Sequence, residues 1–283
     1  MVLESLINPA KAEKLPRHLL LYGVIYTIAG IMLALAVFKA YATLIFVFLA
    51  AMAAIPLMYN TIKYEEEKDM SDMSEKLLLK EHSKALRAFM FLFIGMTLAS
   101  VAAYTILPTD TVSTLFDSQT KTITAINGQV TGTFGEEVKV FNKIFLNNIG
   151  VMIYCTIFSL LYGAGAIFIL SWNASVIGVA IGNFIRGNLA SYAHLIGFDK
   201  AGQYFQIISI GLLKYVIHGV PEILAYFTAG LAGGIISIAI IKHDFKTRKF
   251  EHILLDSADL LLVSIGLLVV AGILEVWLTP LIF

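Results

Sequence analysis

Charge is scarce in this chain. Only 14% of its 283 residues are Asp, Glu, Lys or Arg, against 58% hydrophobic, and the mean hydropathy is +0.83. Most of its length cannot be the surface of a soluble domain, so lipid must cover it. With 20 basic and 20 acidic residues there is no positive excess, and nothing in the charge balance points to nucleic acid as a partner. Cysteine is rarer still. The single Cys155 rules out an intrachain disulfide and a thiolate metal cluster, and inside the apolar run Val151–Leu161 it reads as helix packing. Hydrolase and nucleotide signatures are missing as well: there is no His-Glu-x-x-His, no Gly-x-Ser-x-Gly and no phosphate-binding glycine loop.

Long apolar runs are present instead. A spanning helix needs roughly 20 apolar residues, and such runs occupy Leu19–Phe38, Tyr41–Tyr59, Phe89–Leu107, Phe145–Leu170, Val216–Ile241 and Ile253–Phe283. A seventh candidate is Ser175–Leu195. Lys11, Lys14 and Arg17 before the first run resemble the start of a signal peptide, but the run is long enough to span and lacks a small-residue cleavage site, so it reads as retained. Basic residues cluster before the first run, between the second and third (Lys63, Lys68, Lys76, Lys80, Lys84, Arg87) and before the last (Lys242, Lys246, Arg248, Lys249). Cytoplasmic loops are enriched in Lys and Arg. The three clusters fall on one side only if Ser175–Leu195 crosses, which predicts seven spans in a cell membrane with the N-terminus cytoplasmic and the C-terminus extracytoplasmic.

The fold expected is an all-α polytopic bundle in three parts: N-terminal membrane helices with a charged connector (1–107), an extracytoplasmic insertion (108–143) and a membrane core (144–283). The connector, Lys63–Arg87, reads as a solvated charged helix. In the insertion, Thr122–Ile126 and Gln129–Thr133 flank Asn127-Gly128, which predicts a two-residue β-hairpin. Glu136–Phe145, with Val138, Phe141 and Phe145 at helical spacing, predicts an interfacial amphipathic helix leading into the fourth span. Gly178 with Gly182, and Gly230 with Gly234, are spaced for close helix approach within the bundle.

The costly residues carry the functional information. A charge at a helix centre in hydrocarbon costs at least about 2.5–3.5 kcal/mol on insertion scales, so each needs a partner or a wet surrounding. Lys214, His218, Glu222 and Tyr226 are each four apart and would line one face of an unbroken helix. Pro221 and Gly219 instead predict a break at Gly219–Val220, with a half-helix from Gly202 to Ile217 and a full span from about Pro221. By the basic-loop topology, His218 and Glu222 lie in the outer half, as does Glu275 near Trp277, Thr279 and Pro280. Asn147 and Asn148 enter the fourth span from that side, and Arg186, Asn188 and His194 sit at the outer end of the fifth. The expected site is therefore Asn148, His218, Glu222 and Glu275, with Asn147, Asn173, Arg186, His194, Lys214 and Tyr226 around it; the alternative is that Glu222 and Glu275 snorkel outward and His218 bonds a carbonyl, each satisfied separately. One histidine, two carboxylates and an amide suit a divalent metal such as zinc, or a proton or ion relay. Asp256 and Asp259, at the other end of the last span, are expected to cap its helix or face the basic loop.

Four stretches carry a resemblance to a known family: Asn147-Asn148-Ile149-Gly150; Gly163-Ala164-Gly165 with Asn173 beyond; His218-Gly219-Val220-Pro221-Glu222 followed by Ala229-Gly230-Leu231-Ala232-Gly233; and Leu274-Glu275-Val276-Trp277-Leu278-Thr279-Pro280. In that order and spacing the chain from about Asn142 to its end resembles the stage II sporulation protein M family. The family's bacterial namesake acts during engulfment in a membrane complex beside peptidoglycan-degrading partners, where it resembles a scaffold rather than the hydrolase, and what the resemblance implies for this chain is an integral membrane component without the sporulation role. Relatives also occur in organisms that form no spores. The reading is therefore a non-enzymatic membrane scaffold or assembly factor, in contact with the bilayer and with membrane or extracytoplasmic proteins, or with a second copy of itself. A transporter or channel using the polar site is the alternative, and a metal-dependent intramembrane hydrolase a weaker one. The topology has a direct test. Single cysteines introduced near Asn127 and at Lys246 should be labelled by an impermeant thiol reagent from opposite faces of the membrane, and labelling from one face would overturn the depth argument.

Overall fold

A peptide group in hydrocarbon has no water to bond, so a spanning chain must satisfy its backbone internally, and a helix does so within one segment. The computed structural model describes residues 9–69, 75–127, 137–192, 197–242 and 247–282, and every regular element among them is helical. In chain order these are α1 (Pro9–Lys14), α2 (Arg17–Val37), α3 (Ala42–Asp69, entered through a 3-10 turn at Lys39–Tyr41), α4 (Glu75–Ile106), α5 (Thr109–Leu115), α6 (Asp117–Asn127), α7 (Glu137–Tyr162), α8 (Ala166–Ser191), α9 (Gly197–Ile241), α10 (Arg248–Ile273), a π-turn at Leu274–Leu278 and α11 (Thr279–Ile282). Seven of them (α2, α3, α4, α7, α8, α9 and α10) are long and apolar enough to cross a membrane. The chain is a multi-pass membrane helix bundle.

Helix α9 is its axis. In its most apolar stretch 83% is buried, against 22% for α7 and 28% for α2 and α10, so the latter three form the lipid-facing periphery. It packs on α10, α7, α8, α3 and α4. Glycine makes the tightest crossings possible. A Cβ on Gly23 of α2 would lie 2.1 Å from the Leu92 carbonyl oxygen of α4, and one on Gly95 of α4 would lie 2.0 Å from Leu20 O. These two helices therefore touch backbone to backbone. The spaced glycines of α8 and α9 also face neighbours in the same chain: Gly178 meets Ser100, Gly182 meets Tyr104, and Gly230 meets Ala166.

Five expectations need correction. The fourth and fifth spans do not divide between Leu170 and Ser175 but at Gly163-Ala164-Gly165. There Gly163 adopts φ +71°, Ala164 N donates to Tyr162 O at 2.8 Å, and Ser159 Oγ accepts from Ala166 N at 3.2 Å. The turn is as apolar as the helices it joins, so hydropathy runs straight through it. The helix expected to break at Gly219–Val220 is continuous over 45 residues with Pro221 inside it. Pro221 removes one backbone hydrogen bond, to the carbonyl of Ile217. The turns that follow are held by packing of Ile223, Tyr226, Phe227 and Leu231, each 2% exposed or less.

The first arm of the expected hairpin is instead helical, as the end of α6; Gly128 and the second arm lie outside the described residues. Its Thr side chains bond back to the helix, Thr122 Oγ1 to Ser118 O at 2.9 Å and Thr124 Oγ1 to Thr120 O at 3.0 Å. Helices α5 and α6 form a cap that dips into the bundle. Val112, Leu115 and Phe116 are buried against Ile31, Phe46, Tyr104 and Val179. Gln119, 0% exposed, accepts from Thr43 Oγ1 at 2.8 Å and donates to Thr43 O at 3.1 Å and Ser175 Oγ at 3.2 Å. The amphipathic segment that follows the cap in sequence is the first turns of α7 rather than a separate helix.

The connector Lys63–Arg87 is not a solvated linker. Lys63–Asp69 prolongs α3 and Glu75–Arg87 opens α4, and Glu65, Glu66, Asp69 and His82 are buried. The buried stripe of Met58 and Ile62 continues at Glu65 and Asp69 at the same helical spacing, which turns those acids inward.

The α2–α4 crossing gives a stability test. Gly95→Ala places a methyl against a backbone carbonyl that cannot rotate away, and overpacking of this kind costs about 1–3 kcal/mol. Gly266→Ala on α10, where a Cβ meets nothing within 4 Å, is the control. Thermal unfolding in detergent should fall for Gly95→Ala and be unchanged or raised for Gly266→Ala.

Candidate functional site

Because α9 is unbroken, Lys214, His218, Glu222 and Tyr226 do share one face of it. Tyr226, 1% exposed, donates its hydroxyl to Glu222 Oε1 at 2.8 Å. One turn toward the cap end, the His218 ring lies 6.5 Å from that of Tyr215, and its Nδ1 lies 3.3 Å from Thr279 Oγ1. The Thr279 hydroxyl has one hydrogen and gives it to Leu274 O at 2.9 Å. It can therefore only accept from His218, which assigns the ring proton to Nδ1. Lys214 is within electrostatic reach of His218, with its Nζ over the Phe184 ring, 5.9 Å from the centroid.

The partner strip comes from the end of the last span, where the helix widens into a π-turn over Leu274–Leu278. Pro280 explains the widening. It has no N–H, and its ring crowds the carbonyl four residues back. Thr279 bonds to Leu274, five back, through both its N–H and its hydroxyl. π-turns of this kind recur at functional sites. This one carries Glu275, whose carboxylate is within electrostatic reach of both Glu222 and Tyr226. Cys155 of α7, fully buried, also lies within reach of Tyr226.

The remaining expected residues are placed as follows. Asn148 is buried on α7, and Asn147 Nδ2 approaches its Oδ1 at 3.4 Å. Among the described residues no hydrogen bond joins Asn148 to His218, Glu222 or Glu275. It lies between Phe141, whose ring packs 5.6 Å from Trp277, and Cys155. Asn173 Nδ2 donates to Ile169 O at 2.9 Å within its own helix. Arg186 closes the carbonyl end of α4, donating to Tyr104 O at 3.1 Å, Leu107 O at 3.2 Å and Thr109 Oγ1 at 2.8 Å. That places it in the cap, away from Glu222. His194 lies outside the described residues.

The donor set does not fit a divalent metal. Among the described residues no three His, Cys, Asp or Glu side chains are arranged to hold one, and His218 Nδ1 and Glu222 Oε1 are engaged by Thr279 and Tyr226. A crevice of about 90 Å³ between α4, α8 and α9 is lined by Phe93, Ile177, Leu212, Gly219 and Val220 among others, on a different face of α9.

One cluster was missed by sequence reasoning. At the end of the bundle opposite the cap, Glu65, Asp69 and His82 form a buried ionic group, extended by Lys68, Glu13 and the Lys242–Glu66 pair. Asp256 and Asp259 line a small cavity beside His82 rather than standing apart from it. The legible signal was the buried stripe of α3 running on through Glu65 and Asp69.

The family model described as Stage II sporulation protein M matches residues 88–280. The chain belongs to the stage II sporulation protein M family. The match begins well before Asn142, so the family portion holds five spans and includes the cap α5–α6, which the resemblance in sequence had left outside. His218, Glu222, Glu275 and Asn148 are all within it. Helices α1 to α3 and the start of α4, with Glu13, Glu65, Asp69 and His82, precede it. Comparison with curated proteins and with solved structures found no match.

The Glu222–Tyr226 bond can be probed directly. Glu222→Ala leaves the Tyr226 hydroxyl buried without an acceptor, a penalty of about 1–3 kcal/mol, whereas Glu222→Gln keeps an acceptor in place. The alanine variant should lose clearly more thermal stability in detergent than the glutamine variant. Equal losses would show that the bond contributes nothing.

Proposed function

We propose that this member of the stage II sporulation protein M family is a non-enzymatic membrane scaffold or assembly factor. On this reading the polar site ties the central helix to the C-terminal turn and fixes the shape of the surface that a partner recognises. The observation that supports it most is the pairing of polar groups with each other: His218 with Thr279, Tyr226 with Glu222, and Glu275 within reach of Glu222. Of these, the His218–Thr279 contact joins α9 to the C-terminal turn, the Tyr226–Glu222 bond fixes two side chains within α9, and Glu275 is a second carboxylate beside Glu222; a polar contact between helices acts as a tie. The basic loops orient the chain with its N-terminus cytoplasmic, which places this tie in the outer half and leaves the cap facing out. Partners of this scaffold are membrane or extracytoplasmic proteins, or a second copy of the chain.

A second reading is favoured by one specific observation. Two carboxylates and a histidine stand inside spans, two of them on one face of the most buried helix, and intramembrane ionisable groups commonly mark ion or proton paths. The two readings separate in one pair of experiments. On the scaffold reading, a partner crosslinked in native membranes is lost on Thr279→Val, while proton or ion flux in proteoliposomes is the same for wild type, Glu222→Gln and Glu275→Gln. Flux that both glutamine variants abolish would sink the scaffold reading in favour of a transporter.

A further inference from the structure

The ionic cluster at the end opposite the cap has no part in the polar site. His82 of α4 is 1% exposed and lies between two carboxylates of α3, with Nδ1 2.7 Å from Glu65 Oε2 and Nε2 2.9 Å from Asp69 Oδ1. A neutral imidazole has one N–H and one bare lone pair. In either tautomer one nitrogen would point its lone pair at a carboxylate oxygen. With both carboxylates ionised, both contacts attract when both nitrogens carry hydrogen, so the geometry favours an imidazolium held between them. The Nε2 contact is out of line for a directed hydrogen bond, and neither Asp69 oxygen has a hydrogen-bond partner. Asp69 is therefore held in its buried position by charge.

Every element around His82 presents acid. Glu65 and Asp69 come from α3, Glu81 from its own helix, and Asp256 and Asp259 from α10, where with Leu78, Leu79 and His82 they line a small cavity. The other cations are committed elsewhere. Lys68 Nζ binds Glu65 Oε1 at 2.7 Å and both oxygens of Glu13 at 3.0 Å, Lys84 pairs with Glu81 at 2.5 Å, Lys242 pairs with Glu66, and His252 is within reach of Asp256. His82 is the cation in contact with Asp69, and it faces Asp256 across the cavity together with His252.

We propose that the His82 imidazolium is a protonation-dependent latch that draws α3, α4 and α10 together at this end, and that loss of its proton opens the cleft between α4 and α10. Without that charge Asp69 loses the cation it touches, and Lys68, already shared between Glu65 and Glu13, is left to offset the buried acids of α3, which then separate or take up water. The cleft is already marked by the small cavity between Leu78, Leu79, Asp256 and Asp259. The site lies in the part of the chain that precedes the family match, apart from the α10 acids, so the latch is a device of this chain's N-terminal helices acting on the family core.

The sign of the pH effect follows from which state holds the proton. Stability supplied by the imidazolium is present while the ring is charged and disappears as the pH rises far enough to remove the proton. A second group moves in the same direction. Glu13 on α1 is pushed up to about 7 from 4.5 by burial and by neighbouring Glu65, with Lys68 opposing. The folded chain holds more protons than the unfolded one between those values, so the docking of α1 weakens as the pH climbs through that interval. A Glu13→Gln background removes this contribution.

The test uses full-length Glu13→Gln protein in nanodiscs, with nitroxides on Leu79→Cys and Leu255→Cys in a Cys155→Ser background, and in parallel 15N-histidine spectra without the labels. Near about pH 7 the His82 resonances should be those of a charged ring. The nitroxide separation should lengthen as the pH is taken from about 6.5 to about 9.5, and His82→Gln should give the long separation throughout with no pH step. A neutral His82 ring near neutrality, or the same pH step in His82→Gln, would falsify the latch. If His82→Gln does not fold, the ring's charge state decides alone, its resonances identified by their shift in Asp69→Asn.

Discussion

The backbone of a chain in lipid must bond to itself, and almost every feature of this molecule is a consequence of that requirement meeting a sequence that contains proline, glycine and charge. Pro221, Pro56 and Pro280 each delete a donor inside a helix or its continuation. At Pro280 the lost bond is visible as a π-turn, with Leu274 O collecting both the N–H and the hydroxyl of Thr279. At Pro221 α9 simply continues. The difference lies in the surroundings. Pro280 comes at an exposed helix end with few neighbours to hold the ideal ladder, whereas Pro221 leads into the most enclosed stretch of the bundle, where Tyr226, Phe227 and Leu231 are buried among the neighbouring helices.

The same contrast explains what the sequence could and could not reveal. Seven crossings were legible because each needs a long apolar run, and hydropathy sums over many residues. Boundaries were not, because the Gly163 turn is apolar and depends on a single positive φ. Asn127-Gly128 is a hairpin signal in a chain whose strands can pair. Here the preceding residues find helical neighbours first, with Phe116 and Gln119 anchored among α2, α3 and α8, and Thr hydroxyls bonding back along α6. Local turn chemistry lost to tertiary packing.

The candidate site was legible as a list and less so as an arrangement. His218, Glu222 and Tyr226 could be placed on one face by spacing alone, provided the helix did not break. The tie to Thr279 could not, since it depends on the π-turn, and neither could the diversion of Arg186 to the end of α4. Charged residues written off as a solvated connector proved harder. Glu65, Glu66 and Asp69 look like a surface run by composition, yet their phase along α3 is that of Met58 and Ile62. Periodicity carried the answer and composition concealed it.

The two polar centres therefore differ in kind. The one at Glu222 and Glu275 consists of hydrogen bonds and neighbours drawn from the family portion, and it joins the axis helix to the chain's last turn. The one at His82 is ionic, lies at the opposite end of the bundle, and is built from helices that precede that portion. The Glu66–Lys242 pair and the α10 acids facing His82 are where the second meets the first part's own helices. Lys242 closes the far end of α9 and Asp256 stands in the third turn of α10, so the N-terminal helices meet both of these core helices near the connection between them. A change of charge there acts on the α9–α10 pair as a unit, and that pair also carries Glu222 and Glu275.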